Sequence, residues 1–258
     1  MKSTYIALIL SLLIFSCTNN PRNSSMANII DAPKAKQMTK ELSMHDDVRQ
    51  DSFYWLNERE NPEVIAYLDA ENTYYDSNTA HTKDFQTALF EEMKSRIKKD
   101  DSSVPYKYNG YWYITRYEKG KDYPVYTRKK ETLSAKEELL FDCNEMAKGH
   151  AYFNLRGLNI SPDNSLVAFA TDTIGRRQYN LYIKNLKTNK ILEDKVSNST
   201  GSSTWANDNK TLFYTLQNET TLRSEAIYKH TIGSNTKDDA LVYEEKDDTF
   251  GVGVYKTK

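Results

Sequence analysis

The groups in this sequence that could do chemistry are few and dispersed. Its four histidines, His45, His81, His150 and His230, are scattered, with no second histidine or cysteine at helical or metal-site spacing. Each therefore reads as a surface or packing histidine. Carboxylates occur as neighbours, Asp46-Asp47, Glu91-Glu92 and Asp247-Asp248. Adjacent residues point to opposite faces of a strand and diverge around a helix, so adjacency builds no acid/base pair. No two glycines bracket a serine as Gly-x-Ser-x-Gly, the strand-to-helix elbow that presents a serine nucleophile. A glycine-rich phosphate loop and a Cys-x-x-Cys pair are also missing. The reading is a chain with no catalytic residue, no metal ligands and no cofactor site.

Two cysteines and one arginine pair keep a role. Cys17 closes the N-terminal run MKSTYIALILSLLIFSC, with Lys2 as charged start and Tyr5 to Phe15 as apolar core. That core is too short for a spanning helix of about 20 residues, so it reads as a signal peptide. Ile14-Phe15-Ser16-Cys17 is similar to the bacterial lipobox, with Phe15 where a small residue is usual. Cys17 is thus expected to be lipidated, and the protein to be exported and anchored at a membrane facing the periplasm or cell surface. Cys143 then has no partner and reads as a buried structural thiol. Arg176-Arg177 stands in a polar break between two strand-like runs.

The elements that position this pair repeat. Gly157 to Ile160, the turn Ser161-Pro162-Asp163-Asn164, the apolar run around Leu166, Ala168 and Ala170, then Tyr179, Leu181 and Ile183 read as strand, tight turn, strand, loop, strand. A second copy places Thr204 to Asn209, Leu212 to Tyr214 and Ala226 to Tyr228 in the same order. A weaker one places Asn109 to Thr115 before Val125 to Arg128. The period is that of a four-stranded propeller blade, roughly 40 to 50 residues.

Upstream, Thr18 to about Lys40 is polar and aperiodic, with Pro21 and Pro33, and reads as a tether. His45 to Leu56 is an acidic segment leading into an aromatic anchor. Asn61-Pro62-Glu63 opens a helix with a cap, a first-turn proline and an acid at the positive end of the dipole. A second helix starts near Thr82 and carries Phe85, Leu89, Met93 and Ile97 at steps of four, a narrow apolar stripe. These helices precede every strand, and nothing downstream is suited to cover their stripes. The alternative is a hairpin in which the two helices cover each other. A net charge of −1 gives no reason to expect nucleic acid as a partner.

Several ordered motifs resemble the prolyl oligopeptidase family. They are Tyr54-Trp55-Leu56, Glu60 to Val64 and Tyr67 to Asn72. Within the family, Asp101 to Tyr106, Tyr111-Trp112-Tyr113, Ser161 to Asn164, Gly175 to Tyr179, Trp205 to Asp208 and Tyr243 to Thr249 resemble its oligopeptidase B branch. The resemblance runs from about Leu42 to Lys258. It implies a serine peptidase in which a seven-bladed propeller caps an α/β-hydrolase domain, the N-terminal helices pack on that domain, and short peptides are cut after lysine or arginine. Arg176 and Arg177 would face the hydrolase domain and substrate channel. Ser102, Ser103, Val104 and Pro105 would form part of an interdomain hinge.

The expected class is α+β: a signal peptide (1–17), a tether (18–41), a helical segment (42–99) and two to three propeller blades (100–258). The catalytic serine, aspartate and histidine are expected beyond Lys258, in a hydrolase domain that this chain lacks. The expected partners are an oligopeptide substrate, that missing domain and, through the anchor, a membrane. The competing reading is a non-catalytic lipid-anchored protein that binds a partner through its β-domain.

Overall fold

The structure, a computed structural model, describes residues 31–257. Met1–Cys17, including the proposed lipidation site Cys17, lies outside the described residues. The chain divides into two compact units between Ile97 and Lys98.

The first unit opens with a β-hairpin, β1 (Lys40–Met44) and β2 (Asp47–Asp51), where a tether running into a helical segment was expected. His45 and Asp46 both have positive φ, 51° and 64°, the two-residue turn whose twist matches paired strands. Nearly every residue of the hairpin is exposed, so no alternating apolar pattern announces it. Trp55 is buried in a 3-10 turn and donates from Nε1 to the Lys36 carbonyl at 2.8 Å, fixing the aromatic anchor.

Helix α1 (Pro62–Thr79) starts as its sequence requires. The Asn61 side chain accepts the Glu63 N–H at 2.9 Å, with Pro62 in the first turn. A 3-10 turn, Ala80–Thr82, leads into α2 (Lys83–Ser95). Thr79, Ala80, Thr82 and Lys83 all keep right-handed helical backbone, so the chain bends without reversing. A helical hairpin needs a reversal, and that alternative is set aside. Within this unit Phe85, Leu89, Met93 and Ile97 are exposed among the described residues.

The second unit is built of blades. The first comprises β3 (Asp101–Ser102) and β4 (Tyr106–Tyr108), both pairing with β5 (Tyr111–Tyr117), followed by β6 (Val125–Lys130) and β7 (Glu137–Asp142). A one-turn helix, α3 (Cys143–Met146), capped by Asp142, leads out of it. The remaining strands form one antiparallel sheet in sequence order: β8 (Asn154–Ile160), β9 (Leu166–Asp172), β10 (Tyr179–Asn185), β11 (Lys190–Trp205), β12 (Thr211–Gln217), β13 (Ser224–Thr231) and β14 (Ala240–Glu244).

This seven-stranded sheet is two blades sharing a bent strand. The first half of β11 pairs with β10 (Leu181 opposite Val196), the second half with β12 (Thr204 opposite Phe213). The bend falls at Ser199 to Ser203, where the register shifts and Gly201 takes φ +78°. One strand therefore serves as outer strand of the second blade and inner strand of the third. Three consecutive blades result, the upper end of the expected range.

Burial explains the apolar run in β9. Val167 and Phe169 join Phe141, Phe153 and Leu155 in a core against the first blade. Ala168 and Ala170 join Leu181, Ile183, Trp205 and Leu212 in a core against the third. A middle blade is covered on both faces, so β9 is apolar at every position from Leu166 to Ala170. Leu181 and Ile183, with no exposed surface, each contribute about 1.5–3 kcal/mol by burial. Lys184 ties the first two blades together. Its Nζ donates to the Leu140 carbonyl at 2.6 Å over the Phe141 ring, and burial holds the amine below its ordinary pKa.

Candidate functional site

The β9–β10 loop that carries Arg176 and Arg177 is built around one buried carboxylate. Asp172, at the end of β9, accepts the N–H of Ile174 (2.8 Å) and Gly175 (2.9 Å) on Oδ1 and that of Arg177 (2.8 Å) on Oδ2. Gly175, at φ +81°, lies flat against the Tyr152 ring, and Arg177 is held at φ 58°. A non-glycine residue there is strained by about 1–2 kcal/mol. The three bonds to Asp172 offset that cost. The loop is also fastened to the next blade: Gln217 Nε2 donates to the Arg177 carbonyl at 2.8 Å, and Gln178 Nε2 to that of Glu219 at 3.3 Å. The backbone is thus fixed while both arginine side chains point into solvent.

The neighbouring loop consumes its arginine. Arg223 donates to the carbonyls of Glu245, Asp247 and Phe250 and pairs with Glu225 at 3.1 Å, closing the 245–250 segment. Arg223 is thus engaged through both terminal nitrogens, whereas the Arg176 and Arg177 side chains have no hydrogen-bond partner among the described residues.

Ser102 and Ser103 belong to a strand edge and do not form a free linker. Ser102 pairs with Arg116 on β5, Ser103 N donates to the Thr115 carbonyl at 2.7 Å, and Thr115 N donates to Ser103 Oγ at 3.0 Å. Val104 is 88 % exposed, and Pro105 follows where pairing lapses before β4. The four residues 102–105 are bonded at one end and free at the other.

Three of the four histidines are exposed, but His230 is buried and partnered, which the spacing did not reveal. Its Nδ1 faces Asp239 Oδ1 at 2.7 Å and its Nε2 faces Asp194 Oδ1 at 2.8 Å. Tyr214 donates its hydroxyl to Asp239 at 2.8 Å; burial, then that bond, pushes the phenol well above its ordinary pKa. Nitrogen and oxygen at hydrogen-bond distance leave no room for an ion between them, since a metal sits about 2.0–2.2 Å from each ligand. Among the described residues no group of three metal-ligating side chains is arranged for an ion. With no surface to offer substrate, the triad is a strut between β11, β13 and the approach to β14.

Cys143 is buried as expected. Burial, with Asp142 beside it, pushes the thiol up to about 12, so no thiolate is available for chemistry.

Asp172 and Gln217 are the site residues that motif reading missed. Asp172 carried a signal of its own, since an aspartate at a strand end with glycine three residues later marks a side-chain-capped turn. Gln217 carried none.

Residues 32–258 match the family described as prolyl oligopeptidase, N-terminal beta-propeller domain. The chain is 38 % identical to dipeptidyl aminopeptidase BI of Pseudoxanthomonas mexicana, over the whole of this chain and 38 % of that protein. It is 34 % identical to protease 2 of Moraxella lacunata, over 88 % of this chain and 34 % of that one. Among solved structures, oligopeptidase B from Leishmania major superposes with a TM-score of 0.77 at 28 % identity, over 88 % of this chain and 34 % of that one. The chain spans little more than a third of the length of these relatives. The blades described above are a propeller of this kind, and the chain belongs to the prolyl oligopeptidase family.

Proposed function

We propose that this chain is the propeller part of a serine peptidase that cuts short peptides after lysine or arginine, with the catalytic serine, aspartate and histidine supplied from outside residues 1–258. The observation that carries the reading is the wall made by successive inner strands. At the seam between the second and third blades, Trp205 Nε1 donates to the Asn159 carbonyl (2.8 Å) and Asn159 Nδ2 to the Ser203 carbonyl (2.7 Å). A wall sealed by such bonds can exclude folded proteins and leave short peptides as substrates. Arg176 and Arg177, fixed in backbone and free in side chain, would meet the catalytic part or a substrate carboxylate. Residues 102–105 would serve as one strand of the hinge.

The test compares the purified chain with the protein expressed from the continuous reading frame, using a blocked peptide ending in an Arg-fluorophore bond. Cleavage is expected only from the longer product and is abolished by a serine-directed inhibitor. Cleavage by the 258-residue chain alone overturns the reading.

A second reading is favoured by the 38 % identity to a dipeptidyl aminopeptidase. Under it, substrates need a free N-terminus two residues from the cut. A longer product that cleaves the free dipeptidyl substrate and spares its N-blocked form selects this reading.

The leader Met1–Cys17 supports export and lipid anchoring through Cys17. Radiolabelled palmitate taken up by the native protein and not by Cys17→Ser would bear this out. A labelled product inactive on every peptide would favour the non-catalytic binding lipoprotein.

A further inference from the structure

Six arginines lie in the blade unit, and they divide into two sets. Arg116 pairs with Glu137, Arg128 with Glu138, and Arg223 with Glu225. Arg156, Arg176 and Arg177 are exposed and have no carboxylate or carbonyl partner among the described residues. These three come from one end of the second blade. Asn154 on β8 lies opposite Asp172, the residue that opens the arginine-bearing loop, and Arg156 lies opposite Ala170.

Arg156 is held on a shelf. Directly paired residues share a face, so its side chain leaves β8 on the side of Ala170, toward the third blade. There its guanidinium lies 5.1 Å from the centre of the Tyr179 ring. Tyr179 is only 6 % exposed, and its hydroxyl donates to Asn154 Oδ1 at 2.9 Å. The aliphatic part runs over Gly201, where a Cβ would come within 2.8 Å of Arg156 Cδ. A side chain at Gly201 would therefore push Arg156 off the ring. Tyr179 itself follows Arg177 by two residues, so the shelf and the strained loop are one piece of chain.

The geometry points to a carboxylate-binding site formed by Arg156 on its Tyr179 shelf together with Arg176 and Arg177, taking the C-terminal carboxylate of a short peptide. Three exposed guanidinium groups stand at one end of the second blade with no acid paired to them among the described residues: Asp172, the carboxylate inside the loop, is buried and accepts backbone N–H groups on both oxygens. A planar fork held over a ring keeps its donors aligned for a carboxylate and loses little freedom on binding. The choice of a peptide rests on the peptide-handling function proposed above; the anion chemistry stands without it.

The test uses the full chain, titrated at low ionic strength with acetyl-tetra-alanine as free acid, the same peptide as C-terminal amide, and inorganic phosphate, followed by NMR of the arginine Nε–H groups. The free acid is expected to shift the Arg156 signal and to bind about tenfold or more tightly than the amide, as loss of a charge-assisted bidentate pair requires. Arg156→Met should abolish that preference and Arg156→Lys restore part of it, with unchanged near-ultraviolet circular dichroism. Arg177→Gln, a substitution away from the shelf, should weaken the acid alone. Equal binding of acid and amide, or native acid binding by Arg156→Met, overturns the proposal. Phosphate binding without preference for acid over amide also overturns it, and would leave the peptidase reading to its own assay.

Discussion

The backbone N–H of Asp163 donates to Oδ1 of Asn209 at 2.8 Å, joining the first turn of the second blade to the first turn of the third. The seam before it is closed in kind: Asn109 Nδ2 donates to the Pro162 carbonyl (2.7 Å), and Asn164 Nδ2 to the Asn109 carbonyl (3.0 Å). Asn109, Asn164 and Asn209 occupy left-handed backbone at the corresponding turns, with φ of 46°, 62° and 60°. One residue type thus satisfies the turn and supplies the amide that fastens it to its neighbour.

Asn209 separates these two duties. Asn209→Gly keeps the turn and should cost about 1 kcal/mol for the lost bond, while Asn209→Ala should cost about 1–2 kcal/mol more through its Cβ. Urea unfolding of both variants measures the difference. Equal midpoints would show that the turn carries no strain.

Gly157 and Gly201 meet where inner strands touch: a Cβ on Gly157 would lie 2.0 Å from the Gly201 carbonyl oxygen. Backbone cannot yield as a side chain does, and Gly157 also has φ +67°. Gly157→Ala should cost about 3 kcal/mol or more and dull the near-ultraviolet signal of Trp205. Gly233→Ala meets no atom within 4 Å and shares only the positive φ, so it should cost about 1–2 kcal/mol.

His230→Leu removes the strut and takes a hydrogen-bond partner from each of the buried carboxylates of Asp194 and Asp239. Each buried hydrogen bond that loses one partner costs about 1–3 kcal/mol. The urea midpoint should fall with unchanged slope. A loss below about 1 kcal/mol would mean that the carboxylates regain solvent without their partner.

Cys143 makes stability depend on alkaline pH. In the unfolded chain the thiol ionises near 9, in the folded chain only near 12. Below pH 9 both states are protonated and stability is fully present. Between those values the unfolded chain alone loses its proton, so stability falls as pH rises. In a Cys17→Ser chain, a thiol reagent at pH 8 should label Cys143 only after denaturant is added. Rapid labelling of the native chain would place the thiol at the surface.

Much of this architecture is local and could be read directly. Asn61-Pro62-Glu63 starts α1, because a cap, a ring-fixed φ and a first-turn acid act within one turn of chain. Ser161-Pro162-Asp163-Asn164 makes its turn by bonds within itself: against a desolvation that would raise it, the bonds from Ser161 and Ser165 hold the Asp163 carboxyl below the ordinary carboxylate range. The stripe on α2 was legible because its period is a property of the helix alone.

What tertiary structure alone decided concerns partners distant in sequence. The β1–β2 hairpin has neither an Asn-Gly turn nor a buried face, so no pattern announced it. His230 meets Asp194 across 36 residues because β11 bends at Gly201 and brings its first half beside the third blade. Arg156 gained its place from the register that sets it opposite Ala170. Periodicity determines which face of a strand is buried, but the pairing of strands chooses what lies beside it. For a chain built of repeating blades, sequence alone therefore determined the blade and its turns, and the seams between blades were settled by packing.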